Sequence, residues 1–118
     1  MQRRGDPAGV LPLSTGVFHI LMCLAGGDCH GYSISKEVEA STDGTVKLGP
    51  TTLYRSLRQL EADGWIEEVA SSDSDDPRRR SYRLTPWGRR IAQAEAMRLA
   101  QTVRLAKTRN LLPASLRV

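Results

Sequence analysis

The sequence predicts a mainly α fold with a small β component, α+β in class, and three observations predict it. Apolar residues three and four apart recur over most of the chain. Two short strand-like segments sit together between the third and fourth helical runs. The last helical run is long, opened by a proline, and meets no breaker until near the end of the chain. A length of 118 residues gives room for one core and one appended element, so no separate catalytic domain fits. Hydrophobic residues make up 40%, but only one Phe, two Trp and three Tyr are present, so aliphatic side chains must fill the core.

Ser14 is suited to cap the first helix, with Leu13 and Phe18 placed as a hydrophobic staple, and Gly26-Gly27 ends it. Val17, Ile20, Leu21 and Leu24 recur at i, i+3, i+4 and i+7, while Phe18, Met22 and Ala25 form a second apolar stripe. With almost no polar face for water, this helix is expected to touch both its own core and a second subunit. A loop over 26–30 leads to a second helix over 31–41, with Ile34 and Val38 inward and Lys36, Glu37 and Glu39 outward; Thr42-Asp43-Gly44 breaks it. Gly49 caps the third helix, Pro50 takes its first position, Leu53, Leu57 and Leu60 form its buried face, and Asp63-Gly64 closes it.

Strands are expected over 65–70 and 80–84, separated by the polar loop 71–77. The second alternates, with Tyr82 and Leu84 facing one way and Arg83 the other; the first, broken by Glu67-Glu68, is assigned by position. Thr85-Pro86 then opens a helix running to Asn110 or Pro113, a rod of about 37 Å at 1.5 Å per residue. Its Ala92, Ala96, Leu99, Val103 and Ala106 keep heptad spacing, a seam for a second copy of the chain, with packing back on its own domain as the alternative. Val17, Phe18, Leu21 and Met22 of the first helix are expected to join that interface. Three helices followed by two strands around a loop is the order of a winged helix-turn-helix. The expected organisation is thus a DNA-binding domain over 10–86, a dimerisation helix over 87–112, and disordered tails over 1–9 and 113–118.

The formal charge is +4, and its placement says more than its sum. Between Glu61 and Asp76 there are seven acids and no Lys or Arg; between Arg78 and Arg109 there are ten basic residues and the single acid Glu95. A polyanion is the partner class this implies. The face of the third helix opposite its leucines carries Thr51, Thr52, Arg55, Arg58 and Gln59, groups that suit phosphates and base edges, although a solvated face would look the same. Arg78, Arg79 and Arg80 lie at the return of the hairpin, where three adjacent cations repel one another unless DNA or the loop's Asp73, Asp75 and Asp76 neutralise them.

Four ordered blocks resemble one family. His30-Gly31-Tyr32-Ser33-Ile34, Gly49-Pro50-Thr51-Thr52-Leu53-Tyr54-Arg55-Ser56-Leu57, Leu60-Glu61-Ala62-Asp63-Gly64-Trp65-Ile66 and Arg79-Arg80-Ser81-Tyr82-Arg83-Leu84-Thr85-Pro86-Trp87-Gly88 are similar to the PadR family of transcriptional regulators. The likeness covers about residues 13–91 and belongs to the shorter branch with a single C-terminal helix. It implies a homodimeric repressor on an inverted-repeat operator in double-stranded DNA, released by a small lipophilic or aromatic effector. It also implies that Tyr54, with Thr51, Thr52, Arg55 and Arg58, lies on the recognition helix, and Arg78, Arg79 and Arg80 on the wing. Thr51 and Ser33 depart from the usual family residues, so the operator sequence does not transfer. Trp87 and Ile91 are the expected lining of an effector cavity at the dimer interface.

Other functions find weaker support. A metal-sensing regulator would use His19, Cys23, Cys29 and His30, but their spacing matches no standard zinc finger, and no metal and no cofactor are expected. A basic module binding an acidic protein would satisfy the charge asymmetry alone. An enzyme is not expected, because there is no glycine-rich phosphate loop and no nucleophile motif. No signal peptide and no bilayer-spanning run are read, so the expected location is the cytoplasm without membrane contact.

Overall fold

The computed structural model of the chain describes residues 5–69 and 79–116. Its elements follow in the order α1 (Thr15–Ala25), β1 (Cys29–His30), α2 (Gly31–Ser41), α3 (Pro50–Ala62), β2 (Ile66–Glu68), β3 (Ser81–Leu84) and α4 (Pro86–Thr108). The strands make one antiparallel sheet in the order β1-β3-β2, with Cys29 opposite Tyr82 and Ile66 opposite Leu84. This is a winged helix-turn-helix with a long C-terminal helix, as the sequence predicts.

The helix ends follow the local chemistry. Ser14 Oγ accepts from the Val17 amide at 3.2 Å and starts α1. Pro50 opens α3 behind Gly49, and Gly64, at φ 78°, takes the left-handed conformation that closes it. Thr85 Oγ1 accepts from the Gly88 amide at 3.0 Å at the head of α4. At the far end Asn110 adopts φ 62°, and the Leu111 amide reaches back to the Ala106 carbonyl at 3.0 Å. The helix therefore closes at Thr108, and its 23 residues span about 35 Å.

Three expectations need correction. β1 was expected to be loop; its two residues are too few to carry a strand pattern, and only pairing with β3 defines them. The hairpin strands are shorter than 65–70 and 80–84, while the loop 71–77 lies outside the described residues. Pro7, Ala8 and Gly9, expected in the tail 1–9, form with Val10 a 3-10 turn, Pro7–Val10, capped by Asp6, that packs against α4.

The core lies between α1, α2, α3 and the sheet. Ile20, Ile34, Leu53, Leu57 and Ile66 are fully buried there, and Ile91 brings the first turns of α4 into the same cluster. None of the helices among the described residues is long and apolar enough to cross a membrane.

Two contacts fix α4 to this body. The Trp65 carbonyl accepts from the Thr85 amide at 3.1 Å and lies 3.0 Å from the Thr85 hydroxyl. Gly88 packs straight onto that peptide: a Cβ there would stand 1.9 Å from the Trp65 oxygen and 2.8 Å from its carbon. Further along, the buried carboxylate of Glu95 accepts from the Leu13 amide at 2.8 Å through one oxygen and from Arg98 Nε through the other. The Arg98 hydrogen bond, helped by the Leu13 amide, holds this carboxyl below the usual glutamate range despite its burial.

Gly88→Ala is expected to destabilise the protein by at least about 2 kcal/mol, because a backbone carbonyl cannot rotate away as a side chain can. Urea unfolding should show a lower midpoint with an unchanged slope. For Glu95 the folded pKa lies below the unfolded value of about 4.3, so the unfolded chain takes up the proton first as pH falls. The stabilisation is complete above that value and is lost as pH drops through the folded pKa. Glu95→Gln, which lacks the titration, should be less stable than the parent at neutral pH and lose less stability on acidification, as read by unfolding midpoints across an acid series.

Candidate nucleic-acid interface

In α3 the helical repeat places Thr51, Arg55 and Arg58, spaced by four and three, in one row. Leu53, Leu57 and Leu60 repeat the same spacing half a turn away, so burying the leucines in the core turns the other row outward. Thr51, Thr52, Arg55 and Arg58 are exposed. Among the described residues neither arginine forms an ion pair, whereas Gln59 is engaged by Asp63 through hydrogen bonds of 3.1 Å. The first turn of α3 has no acidic residue and its Gly49 cap has no side-chain acceptor, which leaves leading amides open to an anion. Tyr54 is half-buried and packs against the core, so it stands at the edge of the exposed row rather than within it.

The β2–β3 hairpin carries the second group of cations. Arg79 is exposed; Arg80 Nε lies 3.7 Å from Glu68, and Arg83 lies 3.6 Å from Asp28. These pairs are about half exposed, which gives them little stabilising value but does orient the guanidinium groups. Arg78 lies outside the described residues. His30 Nδ1 stands 3.0 Å from both the Arg79 carbonyl and the Ser81 hydroxyl, so the imidazole braces the base of the hairpin.

A different surface carries the expected interface residues. Val17 and Phe18 are half-buried, Met22 is 40% exposed, and on α4 Ala96 and Leu99 are exposed with Val103 and Ala106 half-buried. Between α1 and α4 lies an apolar cleft of about 200 Å³, lined by Phe18, Met22, Ala92 and Ala96 among others. Two assignments change. Leu21 is fully buried in the protomer's own core, because the stripe containing Ile20 and Leu24 faces inward. Ile91 is likewise fully buried, in the core of its own protomer, while Trp87 is half-buried with the Arg90 guanidinium 5.3 Å from its ring centre. Ala92 is nearly buried and serves as floor of the cleft.

The four soft ligands read from the sequence do not converge as a set. Cys23 Sγ lies 3.7 Å from Cys29 Sγ, and Glu37 Oε2 lies 3.0 Å from the first and 3.8 Å from the second. Burial pushes both thiols up from the ordinary cysteine range, with the Glu37 carboxylate adding to the effect on each. His30 follows Cys29 on a strand and turns to the opposite side, toward the hairpin. Glu37 was missed as a partner because its position on α2 reads as solvent-facing; only the fold brings it over the two thiols. Glu95 stands out in the sequence as the one acid of a basic stretch, but its partners, the Leu13 amide and Arg98, are set by the fold.

Comparison with known proteins agrees with this geometry. The family model described as "Transcriptional regulator PadR-like family" matches residues 20–94. Transcriptional regulator Rv3488 of Mycobacterium tuberculosis is 37% identical over 87 residues, 73% of this chain and 77% of that protein. The chain spans 22% of a 37.1 kDa protein of Streptomyces fradiae transposon TN4556 and 64% of a protein from Lysinibacillus sphaericus, at 34% and 33% identity. Among solved structures, a transcriptional regulator from Clostridium thermocellum superposes with a TM-score of 0.67 at 28% identity, over 82% of this chain and 97% of that one. Bacillus subtilis PadR, in a structure with operator DNA, superposes with a TM-score of 0.59 at 22% identity, over 75% of this chain and 48% of that one, a likeness of fold.

Proposed function

The chain belongs to the PadR-like family of transcriptional regulators, and from that membership we propose that it is a sequence-specific DNA-binding repressor acting as a homodimer. The observation that carries the proposal is the exposed row of Thr51, Arg55 and Arg58, set opposite the buried leucines of α3 and without internal ion pairs among the described residues. Entering the major groove, this row would present hydroxyls to phosphate and guanidinium forks to guanine. Thr52 and Tyr54 flank it, and Arg79 and Arg80 on the hairpin, with Arg78 beyond the described residues, would meet the neighbouring backbone.

Pairing of two copies through α4 and the outer side of α1 would cover Met22, Ala96 and Leu99 and set two recognition helices on an inverted repeat. The apolar cleft between α1 and α4 is the place where a small lipophilic or aromatic effector would act, since it lies at that seam and is lined mainly by carbon. This assigns the effector to the Phe18 and Met22 side rather than to Trp87 and Ile91. The proposed working location is the cytoplasm.

Arg55→Ala and Arg58→Ala are each expected to weaken binding to an operator in the chain's own upstream region by about 10–100-fold and to relax base preference. Footprinting should show two protected half-sites, with affinity falling steeply as salt rises. Protein that ignores this DNA at low ionic strength, or protects one half-site, would refute the reading. Leu99→Glu places like charges across the seam at an exposed position; sedimentation should show a monomer with native helicity and lost operator binding.

A further inference from the structure

We propose that Cys23, Cys29 and Glu37, whose donor atoms all lie within 4.8 Å of one another, form a binding site for a soft divalent cation of the zinc or cadmium type, with His19, which stands outside that cluster but lines the adjoining cleft, turning in as the fourth donor. The donors come from three successive elements, Cys23 from α1, Cys29 from β1 and Glu37 from α2, so the fold rather than a local motif assembles them.

Their spacing is that of a coordination shell. With metal–sulfur bonds of about 2.3 Å and metal–oxygen bonds of about 2.0–2.2 Å, tetrahedral ligands stand about 3.8 Å apart for two sulfurs and about 3.5 Å for sulfur and oxygen. The observed separations are 3.7 Å between the sulfurs and 3.0 and 3.8 Å from sulfur to carboxylate oxygen. Movements of about half an ångström complete the geometry, within the reach of side-chain rotation at Glu37.

Cys23 and Glu37 also line a cleft of about 320 Å³, together with His19, Met22, Val38 and Ser41. His19 precedes Cys23 by four residues on α1, hence on the same face one turn earlier. None of the lining residues is a Lys or Arg that would repel a cation. Two sulfurs with an imidazole and one carboxylate select a soft or borderline ion over magnesium or calcium. Because Cys29 lies on the strand that pairs with β3, a bound ion would cross-link α1 and α2 to the base of the hairpin.

The test is a cobalt(II) titration of the full chain, purified without a His tag and kept reduced with a phosphine. A site of this kind gives thiolate-to-cobalt charge-transfer absorption and tetrahedral d–d bands that saturate at one ion per chain and vanish when zinc is added. Cys29→Ser should remove most of the charge transfer. Glu37→Gln, at an exposed position that leaves the fold intact, should weaken affinity at least about tenfold while keeping the sulfur bands. His19→Asn should shift the d–d bands. Absence of charge transfer in the reduced parent protein would overturn the proposal, as would bands unchanged by both Cys29→Ser and Glu37→Gln. Closure of a Cys23–Cys29 disulfide in air, with no metal uptake by the reduced chain, would overturn it too.

Discussion

The peptide of Trp65 is where the halves of the molecule are joined. Its amide donates to the Leu60 carbonyl and so finishes α3, its carbonyl receives Thr85 at the head of α4, and Gly88 lies flat against it. The helix α3, the first strand of the hairpin and the long helix therefore share one fixed point. A side chain at residue 88 would force α4 away from the sheet, and the angle between α3 and α4 would change with it. That angle decides where one α3 would stand relative to another if α4 carries the pairing.

Glu95 does for the other end of the contact what Trp65 does for the near end. Its carboxylate reaches the Leu13 amide just before α1 and holds Arg98 on its own helix, so α1 and α4 stay side by side around the apolar cleft. Burying the single acid of the basic stretch also has an electrostatic result. Arg89, Arg90, Arg104 and Lys107 of α4 and Arg109 at its end are exposed, so the exposed charges along this helix are all basic. If two such helices pair, their association would have to be driven by apolar contact, against some like-charge repulsion.

Much of this was legible in the residues. Helices announce themselves through caps and periodicity, and Ser14, Gly49-Pro50, Gly64 and Thr85-Pro86 fall at the observed boundaries because each answers a local need of the backbone. The exposed row of α3 was readable for the same reason, since a helix with leucines at one spacing must show whatever lies half a turn away. What could not be read depends on contacts distant in sequence. The strand β1 exists because β3 is beside it; Glu37 meets the two thiols because α1 and α2 cross there; Leu21 disappears into the core because both apolar stripes of α1 look alike in sequence and the fold chooses one, and Ile91 because the first turns of α4 pack on the same cluster.

Base readout by one protomer would cover at most the lower part of what selection of an operator requires. Each well-formed bidentate contact discriminates by about 1–3 kcal/mol, so Arg55 and Arg58 together would supply about 2–6 kcal/mol. Specific sites are typically favoured over the rest of a genome by about 4–10 kcal/mol. A single α3 row reaches only the lower part of that range, whereas two rows held by one rigid pairing span it without any further contact. The apolar seam and the arginine row are thus two parts of one requirement: the hydrophobic surface left open on α1 and α4 is what would let a short helix with two cationic forks read enough sequence to act as a regulator.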